Sequence, residues 1–259
     1  MVERVKGKVA LVTGASQGIG EAIAARFAEE GAHVVICSRR RDAIEAAADR
    51  MRARGGAVTA HALDVADHEG LARLVQQIGE EHGRLDILVN NAPSVTYGAI
   101  VDISVETFHK DFRVNVDSTF VATREALKLM RARKSGSIVN IASINGLRAA
   151  PNMSAYGAAK AAMIHFSRYA AMEGAAEGVR VNVIAPGVIN TPATEAGFAG
   201  PYAEWGRKIA AQVPMRRFGE ALEVANVALF LASDEASYVT GVCLSVDGGK
   251  AVELVIPSP

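Results

Sequence analysis

Short runs of consecutive apolar residues alternate along this chain with longer stretches whose apolar positions recur at three and four. The short runs, at 9–13, 33–37, 58–63, 87–90, 137–141, 180–184 and 243–246, have strand length, and several are almost wholly apolar. Strands of that kind belong where helices cover both faces of a parallel sheet. Between them the helical spacing predicts helices over 19–30, 43–54, 70–82, 105–133 and 154–176. Strand alternating with helix implies right-handed βαβ units and a doubly wound, Rossmann-like α/β sheet. The expected sheet has seven mostly parallel strands in the order 3-2-1-4-5-6-7, with helices on both faces. No internal repeat, low-complexity tract or Pro/Ser-rich linker interrupts the pattern, so one domain over 1–259 is expected. Within it a cofactor-binding half covers about 1–150 and a catalytic and substrate half about 105–259. The irregular segment 188–215 lies on the carboxyl side of the sixth strand, as a substrate lid.

Half of the 259 residues are hydrophobic, only 5% are aromatic and 24 are glycine, which suits a sheet between helix layers. Lys plus Arg and Asp plus Glu both number 28, so the formal net charge is zero and nothing resembles the basic footprint of a nucleic-acid binder. Residues 1–8 carry charges and no apolar core of a secretory signal. No run of about 18 apolar residues suggests a membrane span. The two cysteines, Cys37 and Cys243, fall on strands about five spacings apart, roughly 24 Å, too far for a disulfide. A reducing, cytoplasmic setting is expected. The six histidines show no ligand spacing, so no metal is expected.

Two groups of residues carry chemistry. Gly14, Gly18 and Gly20 occupy the turn between the first strand and first helix, where backbone N–H groups can approach a pyrophosphate at the helix's positive end. The spacing departs from G-x-G-x-x-G, and taken alone these glycines could merely shape a loop. Tyr156 and Lys160 are four apart and share one helix face, with Ser143 thirteen residues before Tyr156 at the end of the fifth strand. A phenol has a pKa near ~10; lowering it to about 7 takes roughly 4 kcal/mol, which an adjacent ammonium and a nicotinamide cation could supply. In isolation Tyr156–Lys160 is an ordinary surface pair and Ser143 a cap. At the end of the second strand, where an NAD-selecting carboxylate would sit, the chain has Ser38 followed by Arg39, Arg40 and Arg41. Charge-assisted bonds to a 2′-phosphate, about 1.5–3 kcal/mol, outweigh the helix-dipole cost of arginines there. NADP(H) is therefore the preferred cofactor, through Arg39 with Ser38 and Arg40, and NAD(H) remains possible.

Taken together these residues resemble the short-chain dehydrogenase/reductase family nearly end to end. Residues 13–20, with Ser16, Gln17 and Ile19 beside the glycines, are similar to its cofactor turn. Asp64 and Val65 resemble its adenine-contacting pair, and Asn90, Asn91 and Ala92 its fourth-strand motif. The resemblance implies a catalytic tetrad of Asn115, Ser143, Tyr156 and Lys160. It also implies nicotinamide contacts at Pro186, Gly187, Val188, Ile189 and Thr191. Tyr156 would exchange the proton, Lys160 would lower its pKa and bind the nicotinamide ribose, Ser143 would hold the substrate oxygen, and Asn115 would anchor a relay water. One departure stands out: Pro93 replaces the usual Gly after Asn-Asn-Ala. Proline fixes φ and removes an N–H, so loop 93–98 is expected to take its own path beside the cofactor.

The substrate pocket is expected to involve Ser94, Asn145, Leu147, Met153, Phe198 and Trp205, suiting a carbonyl or alcohol on a small, mostly apolar body. Family relatives include 3-oxoacyl-carrier-protein reductases, ketone reductases, and steroid and sugar dehydrogenases. Lys134 could help dock a carrier protein, but Glu177 stands where those reductases tend to carry a cation, which favours a free small molecule. Alternative readings are an NAD-dependent alcohol, steroid or sugar dehydrogenase and, in another class, a non-catalytic dinucleotide-binding regulator or scaffold. The 105–133 and 154–176 helices are apolar over more than one face, which predicts homo-oligomer contacts, and the family implies a homotetramer. The tail 251–259 is expected to join another subunit contact.

Overall fold

A computed structural model describes residues 3–252. Seven strands form one sheet: β1 (Val9–Thr13), β2 (His33–Ser38), β3 (Ala57–Ala62), β4 (Ile87–Asn90), β5 (Gly136–Ile141), β6 (Val179–Pro186) and, last in the chain, Cys243–Val246. Two further strands, β7 (Ile189–Asn190) and β8 (Gly219–Glu220), pair with each other as a separate ribbon, so the last strand of the sheet is β9. The order is β3-β2-β1-β4-β5-β6-β9, and every pairing is parallel. This is the expected α/β Rossmann-like arrangement, with two short strands added outside the main sheet.

Among the described residues nine α-helices connect the strands: α1 (Gly18–Glu29), α2 (Arg41–Arg52), α3 (His68–His82), α4 (Val105–Phe112), α5 (Ser118–Ala132), α6 (Ser154–Ala175), α7 (Pro192–Gly197), α8 (Ala203–Ala211) and α9 (Ala221–Ala232). The period-2 geometry of strands explains the two helix layers. Ala10 and Val12 of β1, with Val34 and Ile36 of β2, point to the layer of α1, α2 and α9. Val9, Leu11, Val35 and Cys37 point to the layer of α3, α5 and α6. Phe27, Ile44 and Leu229 are fully buried in the first layer, Leu71, Ile78 and Met130 in the second. Burying a side chain of this size contributes about 1.5–3 kcal/mol.

Local chemistry sets several boundaries. Asp67 caps α3 by accepting from the Gly70 N–H at 2.9 Å, and Gly83, at φ +66°, ends it. Ser104 caps α4 by accepting from Thr107 N–H at 3.2 Å. The stretch 105–133 is not one helix: a π-helical turn, Arg113–Asp117, separates α4 from α5. Apolar spacing persists across that turn, so periodicity cannot locate it. Helix α9 carries no periodic signal either, because ALEVANVALFLA is apolar on nearly every face and packs against both α1 and the sheet.

Cys37 and Cys243 are both free thiols on strands five positions apart in the sheet order. Among the described residues no helix is long and apolar enough to cross a membrane. The expectation for the 251–259 tail falls, from residue 253 onward, outside the described residues.

Candidate active site

The carboxyl ends of β1, β4, β5 and β6 bring the named residues to one edge of the sheet. Asn91, just past β4, donates from Nδ2 to the carbonyls of Thr13 and Gly14 at 3.0 and 3.1 Å. Thr13 Oγ1 in turn accepts from the N–H groups of Asn91 and Ala92 at 3.0 and 3.2 Å. The glycine turn is thereby tied to the end of β4. Gly14 has φ +67°, and a Cβ there would stand 2.7 Å from Ala92 Cα, so no larger residue fits. A Cβ on Gly20 would stand 2.5 Å from the Gly14 carbonyl oxygen and closer still to Asn91 Nδ2. Gly18 lies against the Thr191 methyl, which joins the turn to the segment after β6. Gln17 precedes α1 and makes no side-chain cap bond, which leaves the first-turn N–H groups to another acceptor.

At the end of β2, Ser38 Oγ is buried and has no hydrogen-bond partner among the described residues. Arg39, Arg40 and Arg41 follow it on the surface, and none forms an ion pair with a described carboxylate. An orphaned hydroxyl, unengaged guanidinium groups and an uncapped helix start fit a phosphorylated dinucleotide along this edge. Asp64 lies beyond β3 and accepts from Ala66 N–H at 2.9 Å; the α3 cap is Asp67, so capping does not account for Asp64. Val65 beside it is buried.

Asn115, Ser143, Tyr156 and Lys160 converge at the ends of β4 and β5. Lys160 is buried in α6, donates from Nζ to the Ile141 carbonyl at 2.8 Å, and lies 5.7 Å from the centre of the Tyr156 ring. Ser143 Oγ accepts from Asn145 N–H at 3.1 Å and lies close enough to the Tyr156 phenol to act on its pKa. It is thus both the turn cap that its residue type suggests and a neighbour of the phenol. Asn115 is fully buried in the π-helical turn, and its Nδ2 donates to the Ser94 carbonyl at 2.7 Å and the Asp111 carbonyl at 2.8 Å. π-Turns recur at functional sites because the extra residue redirects a side chain out of the helical ladder.

The electrostatics differ from the expectation of a depressed tyrosine. Burial pushes the Tyr156 phenol up to about 12, against the lowering effect of Ser143, with the charges of Tyr97 and Asp111 adding to the rise. Burial likewise pushes Lys160 down to about 7, opposed by the Asp111 charge. Desolvation disfavours the charged form of both groups and is the largest cause of each shift.

The structure groups the expected substrate residues less closely. Asn145 Nδ2 reaches Met153 Sδ at 3.1 Å, and loop 93–98 is tied to the same place by Gly98 N–H donating to the Asn152 carbonyl at 2.9 Å. Leu147 packs into a small cluster with Ala142, Met163 and Val183. Phe198 stacks with Phe218 and meets Trp205 edge-on at 5.3 Å, forming an aromatic group within 188–218 that makes no ring contact with Tyr156. Lys134 requires a correction: it precedes β5 while Ser143 follows it, so within the chain it lies at the amino-terminal edge, about 20 Å from the site. Gly178 sits against the Lys134 carbonyl, which places Glu177 there too. That edge holds a cavity of about 530 Å³ lined by Lys8, Asp86, Arg180 and Asp234 and by none of the four converging residues. Asp111, buried between loop 93–98 and the lysine, escaped sequence reading; its signal is an acid one helical turn before Asn115.

Comparison with known proteins agrees with this geometry. A family profile described as Enoyl-(Acyl carrier protein) reductase matches residues 14–251. The chain is 37% identical over 250 residues to a 3-oxoacyl-[acyl-carrier-protein] reductase of Thermotoga maritima, covering 96% of this chain and 100% of that protein. It is 40% identical over 256 residues to the oxidoreductase UcpA of Escherichia coli K12, covering 96% of each. Among solved structures, a proposed NAD(P)-dependent gluconate 5-dehydrogenase from Beutenbergia cavernae, with NADP bound at low occupancy, superposes with a TM-score of 0.92 at 37% identity, over 98% of this chain and 100% of that one. Levodione reductase superposes with a TM-score of 0.93 at 32% identity, over 97% of this chain and 100% of that one. The chain belongs to the short-chain dehydrogenase/reductase family of oxidoreductases.

Proposed function

We propose that this protein is an NADP(H)-dependent reductase of a carbonyl on a small, mostly apolar molecule, related in type to 3-oxoacyl and ketone reductases. The observation that carries the cofactor choice is the end of β2. There a buried, partnerless Ser38 hydroxyl is followed by Arg39 and Arg40, where NAD selection would call for a carboxylate. A bound nicotinamide supplies the hydride, or accepts it in the reverse direction. The glycine turn at Gly14, Gly18 and Gly20 and the start of α1 hold the pyrophosphate; Asp64 and Val65 hold the adenine, and 186–191 the carboxamide.

Tyr156 is the proton donor to the substrate oxygen in reduction. With its pKa raised by burial to about 12, the phenol is protonated over the physiological range, and it gives up that proton only as the phenolate is stabilised. Ser143, beside the same phenol, holds the substrate oxygen, so proton and substrate meet at one point. Lys160 stabilises the phenolate that proton donation leaves behind, and Asn115 fixes the backbone beside it. The apolar character of Leu147, Met153 and Phe198 favours an apolar substrate body. Lys134 and Glu177 both lie at the far edge of the sheet, so Lys134 offers no docking cation beside the site. The working unit is read as a homotetramer built on exposed apolar positions of α5 and α6.

The test is a panel of ketones, 3-oxo thioesters and sugars assayed with NADPH and NADH by nicotinamide absorbance. Turnover is expected with NADPH and lost in Tyr156→Phe, with NADPH affinity by fluorescence nearly unchanged. Tighter NADH binding overturns the cofactor assignment; retained turnover in Tyr156→Phe removes that residue from the chemistry.

A further inference from the structure

Asp111 is a fully buried carboxylate on α4 with no cation within ion-pair distance among the described residues. Its acceptors are nonetheless filled. Oδ1 accepts from Ser94 Oγ at 2.7 Å and Thr96 Oγ1 at 3.1 Å, and Oδ2 accepts from Thr96 N–H at 2.9 Å. Three donors converging on one carboxyl group are the pattern of an ionised acid, which is acceptor-only. Its backbone carbonyl takes a fourth bond, from Asn115 Nδ2. Asp111 and Asn115 are one helical turn apart, so both reach the same loop, and Asn115 completes the grip through the Ser94 carbonyl.

A buried charge is expensive unless something nearby benefits from it. A neutral amide would offer one acceptor oxygen instead of two and set its NH2 against a loop donor, so the clamp itself calls for the carboxylate. Helix α4, which carries Asp111, packs directly against α6, which carries Lys160 and Tyr156, so these are the groups that face the carboxylate's field, with Tyr97 on the loop acting on Tyr156. Lys160 has no carboxylate of its own, only the Ile141 carbonyl. We infer that Asp111 is a positioning residue with two linked effects. It clamps residues 94–96 as one wall of the active site, and it supplies the counter-charge that retains the ammonium form of the buried Lys160. This rests on the reading that Lys160 serves Tyr156.

The clamp bears on the loop's unusual sequence. With Pro93 in place of a glycine, the loop has lost one N–H and some freedom. Two hydroxyl side chains and a buried acid hold its new path, and Gly98 pins its far end beside Met153.

The test needs no substrate. The full-length protein carrying [13Cε]lysine is titrated by NMR, with Lys160 assigned through its absence in Lys160→Arg. Asp111→Asn, which retains the shape, is expected to move the Lys160 midpoint down by about one pH unit, a tenfold fall in the ammonium-to-amine ratio. The double variant Ser94→Ala/Thr96→Val keeps the charge. It is expected to leave the midpoint in place while amide hydrogen exchange across 94–98 accelerates at least about tenfold. An unchanged midpoint in Asp111→Asn overturns the counter-charge, and unchanged exchange in both variants overturns the clamp. Should Asp111→Asn not fold, Asp111→Glu keeps the charge and must hold the midpoint within about half a unit; a full-unit fall overturns the claim. Retained turnover in Tyr156→Phe would defeat the proposed reaction without altering any of these readouts.

Discussion

Lys160 Nζ lies 5.7 Å from the centre of the Tyr156 ring, and the surrounding protein pushes the two groups' proton affinities in opposite directions. The phenol is held protonated while the amine is brought near neutrality, and burying that amine costs stability.

That cost has a defined pH window. Burial brings the folded-state pKa of Lys160 down to about 7 from the ordinary lysine value of 10.5, so between these values the unfolded chain binds more protons. Stability then rises with pH at up to ~1.4 kcal/mol per unit across that window; the full penalty is present below about 7 and gone above about 10.5. Lys160→Met lacks the titration. Urea unfolding at pH 6, 7, 8 and 9 should show the variant gaining most on the wild type at pH 6–7 and progressively less towards pH 9. A stability difference that stays constant with pH would contradict this account.

The glycine turn should tolerate no side chain at its first position. Gly14→Ala must relieve a φ of +67° and a contact of 2.7 Å with the Ala92 backbone, which costs about 1–3 kcal/mol. The displaced turn also withdraws N–H groups from the phosphate position. A lower thermal midpoint together with at least about tenfold weaker NADPH binding is expected. Normal NADPH affinity in a folded variant would mean that the turn does not carry the phosphates.

Parts of this site were legible in the sequence and parts were not, for physical reasons. Strand positions were readable because β1, β2 and β4 are buried on both faces and so almost wholly apolar. Tyr156 and Lys160 were readable as a pair because helical spacing alone puts them on one face. The π-helical turn around Asn115 was invisible, since one extra residue per turn hardly alters apolar spacing. The position of Lys134 relative to the site was not legible, because β5, six residues long, carries the chain from Lys134 at one edge of the sheet to Ser143 at the other. Asp111 was silent for a different reason: its partners Ser94 and Thr96 are brought to it only by tertiary structure.

The opposite edge of the sheet offers a control. Asp86 accepts from the Val9 N–H at 2.8 Å and from Arg84 through both carboxylate oxygens, far from Tyr156. Asp86→Ala leaves the Val9 N–H without its acceptor, and water from the adjoining cavity replaces the bond only in part. A loss of about 1–2 kcal/mol by urea unfolding is expected, with unchanged NADPH affinity. Loss of affinity without loss of stability would connect this edge to the cofactor site.

Assembly is the remaining expectation that the exposed surface makes concrete. Helix α6 buries Met163 in the core but exposes Tyr169 at 58% and Met172 at 79%, and Phe120 of α5 is 45% exposed beside Phe166. Apolar side chains so exposed on adjacent helices call for cover by another protein surface. In the proposed homotetramer a second copy of the chain would supply it through a two-fold contact, where the same patch meets itself. Paired Tyr169→Glu and Met172→Glu substitutions then place four carboxylates in each such contact, at a cost large enough to separate the subunits. Sedimentation at micromolar concentration should show a tetramer for the wild type and a smaller species for the variant. A wild-type monomer, or a variant that still sediments as a tetramer, would mean that this face does not join the subunits.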